Sequence, residues 1–261
     1  MQQLKGKIIF VSGASSGIGR SCAEALGAVG AKLILCARSL DKLTDLANNL
    51  RELYNTESIV CKLDVSNRAE VEEVIDKLPE AWKKIDILIN NAGGALGLEK
   101  LQEGNPEDWD KMIDTNVKGL LYLTRRIVPF MLKYKLNGHV VNVGSTAGIF
   151  AYPNGAVYCA TKSAVHFISD GLRMDLVDTP IRVTNIQPGM TETNFSNVRF
   201  HGDEEKAKSV YAGITPLMPE DIAEIIVYAI SAPPHVQICE VTVTPTNQAT
   251  GGVIYKNNKA E

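Results

Sequence analysis

Short β-branched runs alternate along the chain with longer segments in which apolar residues recur every three to four positions. The strand-like runs are Lys7-Ser12, Lys32-Ala37, Ser58-Leu63, Ile85-Asn90, His139-Val143, Ile181-Ile186 and Ile238-Val243. Helical periodicity fills 18–29, 40–53, 67–78, 106–134, 157–177 and 219–231. Ser66 or Asn67 supplies a start signal for the third of these, and Asn105-Pro106-Glu107 opens the fourth with Pro at its first helical position. Strict alternation of apolar strands with helices predicts an α/β fold: a doubly wound, seven-stranded parallel sheet with helices on both faces. No Pro/Gly/Ser linker, low-complexity run or internal repeat divides the chain, so residues 1–261 are expected to form a single domain. The stretch 187–218 stands apart. It is rich in Pro, Gly, Asn and Thr, shows only a short helical patch near 203–211, and has the length expected of a lid over a site.

Composition narrows the function classes. Twenty-seven basic and 30 acidic residues leave a net charge of −3, and 45% of positions are hydrophobic, an ordinary globular balance. Basic residues never exceed two in a row, as in Lys83-Lys84 and Arg125-Arg126, which argues against a nucleic-acid partner. No apolar stretch approaches the roughly 18 residues that would span a bilayer, so no membrane association is expected. Met1-Gln2-Gln3 and the residues after it run straight into an apolar strand without a signal-peptide pattern, which suggests a cytoplasmic protein. Cysteines at 22, 36, 61, 159 and 239 lack Cys-x-x-Cys spacing and read as free thiols in a reducing compartment. Histidines 139, 166, 201 and 235 form no pair three or four apart, so no metal site is expected.

Chemistry-bearing residues begin at the end of the first strand. There Ser12-Gly13-Ala14-Ser15-Ser16-Gly17-Ile18-Gly19 leads into a helix. Glycines in such a turn let backbone approach a pyrophosphate, and the helix N-terminus offers free N–H groups to the anion. A tight strand-to-helix turn without a ligand would share the pattern. At the end of the second strand, where an NAD-binding chain places an acid, stand Ala37, Arg38 and Ser39. A guanidinium can bind a 2′-phosphate that a carboxylate would repel, so NADP is favoured over NAD unless Arg38 is only a solvated strand-end charge.

Tyr158 and Lys162 stand four apart at the start of a helix, hence on one face. The pair alone is weak, since Tyr255 and Lys259 repeat it in the polar tail. Context separates the two. Ser145 lies thirteen residues before Tyr158 at the end of strand five, within Val-Gly-Ser-Thr-Ala-Gly, whereas the matching position before Tyr255 is Thr242 in a strand. With Asn90-Asn91-Ala92-Gly93 after strand four and Asn116 in the long helix, the sequence resembles the short-chain dehydrogenase/reductase family. The one departure is Ser12 where that family has Thr, and the hydroxyl is kept.

The resemblance implies a Rossmann fold and an enzyme acting on CH–OH groups, with Asn116, Ser145, Tyr158 and Lys162 as the catalytic set. A free tyrosine has a pKa of about 10. A nearby Lys162 ammonium and an oxidised nicotinamide would both favour its phenolate, so that Tyr158 serves as base in oxidation and acid in reduction. Ser145 would hydrogen-bond the substrate oxygen, and Asn116 and Lys162 would hold a water relay. By the same resemblance, cofactor contacts fall on Gly13, Ser15, Ser16, Gly17, Ile18, Gly19, Arg38, Asp64, Val65, Asn90, Ala92, Gly93, Tyr158, Lys162, Pro188, Gly189, Thr191 and Thr193. Asp64 and the 188–193 loop could equally be ordinary turn chemistry.

Further segments, among them Asn194-Phe195-Ser196-Asn197-Val198-Arg199-Phe200 and Pro245-Thr246-Asn247-Gln248, are similar to NADP-dependent 3-hydroxy acid dehydrogenases acting on serine and L-allo-threonine. A 3-oxoacyl thioester or general carbonyl reductase is the alternative enzyme, and a dinucleotide sensor without catalysis the alternative class. An acid substrate needs a cation near Tyr158. Lys162 is committed to the ribose and Arg38 lies at the far end, which leaves Arg199, in the lid, to bind the carboxylate beside Ser145 and Tyr158. A solvated loop arginine is the plainer reading. Helices 106–134 and 157–177 carry surplus apolar positions of the kind this family pairs into two-fold-symmetric homotetramers.

Overall fold

The computed structural model describes residues 4–257; the N-terminal start and Lys259 of the tail motif lie outside the described residues. Seven strands form one all-parallel sheet: β1 (Ile8–Ser12), β2 (Lys32–Ala37), β3 (Ser58–Lys62), β4 (Ile87–Asn90), β5 (His139–Val143), β6 (Arg182–Pro188) and β7 (Glu240–Val243). Their order across the sheet is β3-β2-β1-β4-β5-β6-β7. The helices are α1 (Gly17–Ala28), α2 (Leu40–Tyr54), α3 (Arg68–Lys77), α4 (Pro106–Ile113), α5 (Leu120–Lys133), α6 (Ala156–Asp175), α7 (Phe195–Arg199), α8 (Glu204–Tyr211) and α9 (Pro219–Ile230).

Strand pleating sorts the core. Ile9, Val11, Leu33 and Leu35 point to the face packed by α1, α2 and α9, through Leu26, Leu43, Leu46 and Ile226. Their neighbours Ile8, Phe10, Ile34 and Cys36 point to the opposite face, covered by α3 and α5 through Val71, Ile75, Leu123 and Ile127. With both faces covered, the central strands β1, β2 and β4 are buried almost throughout, which is why they read as near-continuous apolar runs. Strand order reverses direction between β1 and β4, and a crevice opens there beyond the strands' C-terminal ends.

Two expectations are corrected. The helical pattern at 106–134 is not one helix: α4 and α5 are separated by a π-helical turn at Asp114–Gly119. Two contacts hold the extra residue. The Asn116 side chain bonds Gly94, and Gly119 packs so closely on Val65 that a Cβ would lie 2.6 Å from the Val65 Cγ2. The stretch 187–218 carries two helices where one was expected. The Thr193 hydroxyl accepts from the Phe195 N–H ahead of α7, and Asp203 caps α8 through the Lys206 N–H.

Candidate active site

The glycine turn sits at the strand reversal. Its tightness comes from Gly19, where a Cβ would lie 2.3 Å from the Gly13 carbonyl oxygen. Ser12 and Asn91, neither of them an expected contact, fix the turn. The Ser12 hydroxyl accepts from the N–H groups of Asn91 and Ala92, both at 3.0 Å, and the Asn91 amide donates to the carbonyls of Ser12 and Gly13. The hydroxyl is therefore what position 12 requires, and serine meets that need as threonine would. Ser16 leads into α1 without a side-chain cap, and no acid stands in the helix's first turn. Free N–H groups and the helix dipole are thus left to an anion. This fits the pyrophosphate of a dinucleotide.

Farther along the crevice, Arg38 is exposed at the end of β2 with no hydrogen bond or ion pair among the described residues. Asp64 is half-buried, and its carboxylate accepts from the Ser66 N–H and hydroxyl. Val65 is buried against Gly119. The Asn90 side chain turns away from the crevice, donating to Thr124 and Asn142. On the other wall, Thr193 methyl lies 3.1 Å from where a Gly17 Cβ would be, so the loop after β6 closes over the start of α1. Thr191 is buried, and Gly189 is held by its N–H to the Val243 carbonyl. Gln248 anchors that loop by accepting from the Met190 N–H at 2.8 Å.

The four catalytic candidates converge beyond the glycine turn. Tyr158 and Lys162 are both buried on α6. The Lys162 Nζ donates to the Val143 carbonyl at 2.8 Å. Burial depresses its ammonium to about 8. The Asn116 amide nitrogen donates to the Gly94 carbonyl (2.8 Å) and to Thr161 (3.0 Å), and its oxygen accepts from the Gly94 N–H (2.9 Å). Lys162 Nζ and Asn116 Oδ1 flank Gly93, lying 3.4 and 3.1 Å from the position of a Cβ there. Ser145 lies two residues beyond β5, and its hydroxyl accepts from the Ala147 N–H. A weak contact of 3.4 Å reaches the Pro188 carbonyl.

Burial holds the Tyr158 phenol well above its ordinary value, reinforced by the neighbouring Tyr152, while the Ser145 hydroxyl and the Arg199 charge pull it down. The cation over the Tyr158 ring is Arg199, with its guanidinium carbon 5.9 Å from the ring centroid. Lys162 was expected to supply the neighbouring charge, but its ammonium is directed at Val143. Arg199 and Phe195 stand four apart on α7, and both reach Tyr158, Phe195 edge-on at 5.6 Å. Leu96, Trp109, Met112 and Val157 line a small hollow beside the same ring.

The profile of the short chain dehydrogenase family matches residues 7–204. The chain belongs to that family. Among its relatives is the NADP-dependent 3-hydroxy acid dehydrogenase of Schizosaccharomyces pombe, 43% identical over 257 residues, covering 98% of this chain and 99% of the relative. Sulfoacetaldehyde reductase 2 of Chromohalobacter salexigens is 41% identical over 242 residues, covering 93% and 95%. Among solved structures, the closed form of serine dehydrogenase complexed with NADP+ superposes with a TM-score of 0.89 at 42% identity, covering 96% of this chain and all of that one. Membership in the short chain dehydrogenase family accounts for the order of the motifs along the chain.

Proposed function

We propose that this protein is an NADP(H)-dependent oxidoreductase that interconverts a 3-hydroxy acid, of the serine, L-allo-threonine or 3-hydroxypropionate type, and its 3-oxo acid. The observation that carries the reading is the meeting of Tyr158 with Arg199, a proton-transfer group beside a cation with no carboxylate partner among the described residues. Arg38, at the end of β2 and likewise unpaired among the described residues, favours the 2′-phosphate of NADP. The relatives named for NADP-dependent dehydrogenation of 3-hydroxy acids and for serine support both parts.

When bound, the nicotinamide supplies the hydride acceptor or donor. In oxidation Tyr158 takes the proton of the substrate hydroxyl as the carbon–hydrogen bond gives up its electron pair, and in reduction it returns that proton to the carbonyl oxygen. Ser145 donates a hydrogen bond to the same oxygen, where negative charge develops. Lys162, anchored on Val143, orients the ribose, and Asn116 with Lys162 holds the relay that exchanges the Tyr158 proton with solvent. Arg199 takes the acid group.

Crossing NADP+ and NAD+ with 3-hydroxypropionate and its methyl ester tests the reading. The acid with NADP+ should give the highest kcat/KM, and Arg199→Ala should lose roughly 2 kcal/mol or more of transition-state stabilisation on the acid selectively. Equal loss on acid and ester would contradict it. A 3-oxoacyl thioester turned over better than the acid would favour the broader carbonyl reductase.

The apolar side chains left exposed on α5 and α6, Leu121, Leu132, Phe167 and Met174, fit burial in a homotetramer. Light scattering should find four chains per particle, and a monomer would refute it. Five unpaired cysteines suit a cytoplasmic setting. No helix among the described residues is long and apolar enough to cross a membrane.

A further inference from the structure

We infer that Tyr152 and Gly97 are positioning residues for substrate selection, holding the Arg199 guanidinium beside Tyr158 with its Nη2 edge free for the acid group. The inference rests on the role proposed above for Arg199.

Arg199 is held on two sides by neutral oxygens. Its Nε donates to the Gly97 carbonyl at 3.0 Å, and its Nη1 donates to the Tyr152 hydroxyl at 3.0 Å. Its own carbonyl accepts from the Gly97 N–H at 2.9 Å, so residues 97 and 199 grip each other by backbone as well as side chain. Gly97 has φ of +69°, a conformation that L side chains rarely adopt. Glycine takes this turn without strain, and the turn directs its carbonyl toward Arg199. The Tyr152 ring seats on Gly155, where a Cβ would fall 2.1 Å from the ring. From that seat it presents its face to the guanidinium at 5.5 Å.

A half-buried cation ordinarily finds a carboxylate, because desolvated charge is costly. Arg199 has none among the described residues, and its Nη2 makes no hydrogen bond there. Neutral acceptors fix its direction without cancelling its charge. A flexible arginine would also lose side-chain entropy each time it closed on a substrate, whereas one already pinned at Nε and Nη1 has lost most of it beforehand. The site is therefore preset for an anion at a fixed distance from the Tyr158 hydroxyl. An uncharged substrate gains nothing from the arrangement.

The test is Tyr152→Phe, which keeps the ring and removes the acceptor of Nη1. The readout is the ratio of kcat/KM for 3-hydroxypropionate to that for its methyl ester, measured with NADP+ in the full-length protein. The ratio should fall about tenfold, the worth of a charge-assisted hydrogen bond, with most of the loss in KM for the acid. In the Arg199→Ala background the same change should move the ratio no further, since the group it positions is gone. An unchanged ratio in Tyr152→Phe beside a collapsed ratio in Arg199→Ala would overturn the positioning role and leave the Arg199 reading standing. An unchanged ratio in Arg199→Ala would overturn both. Equal loss on both substrates in Tyr152→Phe, or additive losses in the double variant, would mark Tyr152 as a packing residue only.

Discussion

At the proposed cofactor end of the cleft, recognition is built from backbone: the glycine turn, the uncapped start of α1 and the hydroxyl of Ser12 tying β1 to β4, with the exposed Arg38 beyond them. At the proposed substrate end it is built mainly from side chains brought together from separate loops and helices, the buried Tyr158 with the half-buried Tyr152 and Arg199, and from the backbone carbonyl of Gly97. The first end should tolerate little change in chain geometry and much change in surrounding side chains. The second should behave in the opposite way. Mutations that alter backbone space and mutations that alter charge ought therefore to separate the two ends.

The largest effect is expected from Gly19→Ala, whose methyl would meet the Gly13 carbonyl and the Asn91 amide. Affinity for NADP+ should fall about a hundredfold, the cost of a few kcal/mol of forced backbone movement. Isothermal titration giving near-native affinity would remove the backbone account of that end.

Acidity should weaken the substrate end's foundation next. His139 is buried in β5, and its Nε2 donates to Thr184, whose hydroxyl is already donating to the Ile238 carbonyl. The Nδ1 is buried without a partner among the described residues. Burial, and then the charge of Arg182, depress this imidazole to about 3. The fold therefore favours neutral histidine. That contribution is complete above the unfolded value of about 6.5 and is lost as pH falls from there toward 3. Between about pH 7 and pH 4 the loss is on the order of 3 kcal/mol. Urea melts of the native chain should show it, and His139→Gln should show a shallower fall. Parallel pH slopes would contradict this.

Arg38→Asp should shift the kcat/KM ratio of NADP+ to NAD+ about tenfold or more toward NAD+, without changing the acid-to-ester ratio. The smallest effect expected is electrostatic. Removing the Arg199 charge takes away one of the two influences that lower the Tyr158 phenol. In Arg199→Ala the ascending limb of the pH–rate profile for oxidation of the methyl ester, where Tyr158 must lose its proton to act as base, should move to higher pH. A downward move would show that the cation does not act on the tyrosine.

The contrast between the ends also explains what the sequence reveals. The glycine turn, Ser145, Tyr158 and Lys162 are legible because their chemistry demands residue types at short, fixed spacings on elements whose periodicity is strong. Arg199 is legible through what an acid substrate requires. Tyr152 and Gly97 are not, because they meet Arg199 across 47 and 102 residues of chain, and no local pattern marks either as its partner. The π turn is hidden for a related reason. The apolar period runs unbroken through 106–134, and the extra residue is decided by Gly94 and Val65, which lie elsewhere in the chain. Helix α7 is obscured by its neighbours' turn-like composition, although Phe195 and Arg199 already stand one helical turn apart.

The proposed NADP-linked oxidation of an acid depends on Tyr158 as its proton-transfer group. Tyr158→Phe keeps the ring that packs on Phe195 and removes only the hydroxyl. Steady-state formation of NADPH from 3-hydroxypropionate, measured alongside NADP+ affinity by titration, should show kcat falling about a thousandfold while cofactor affinity stays within about twofold. Turnover by Tyr158→Phe within tenfold of the native chain, at equal cofactor affinity, would contradict the assignment.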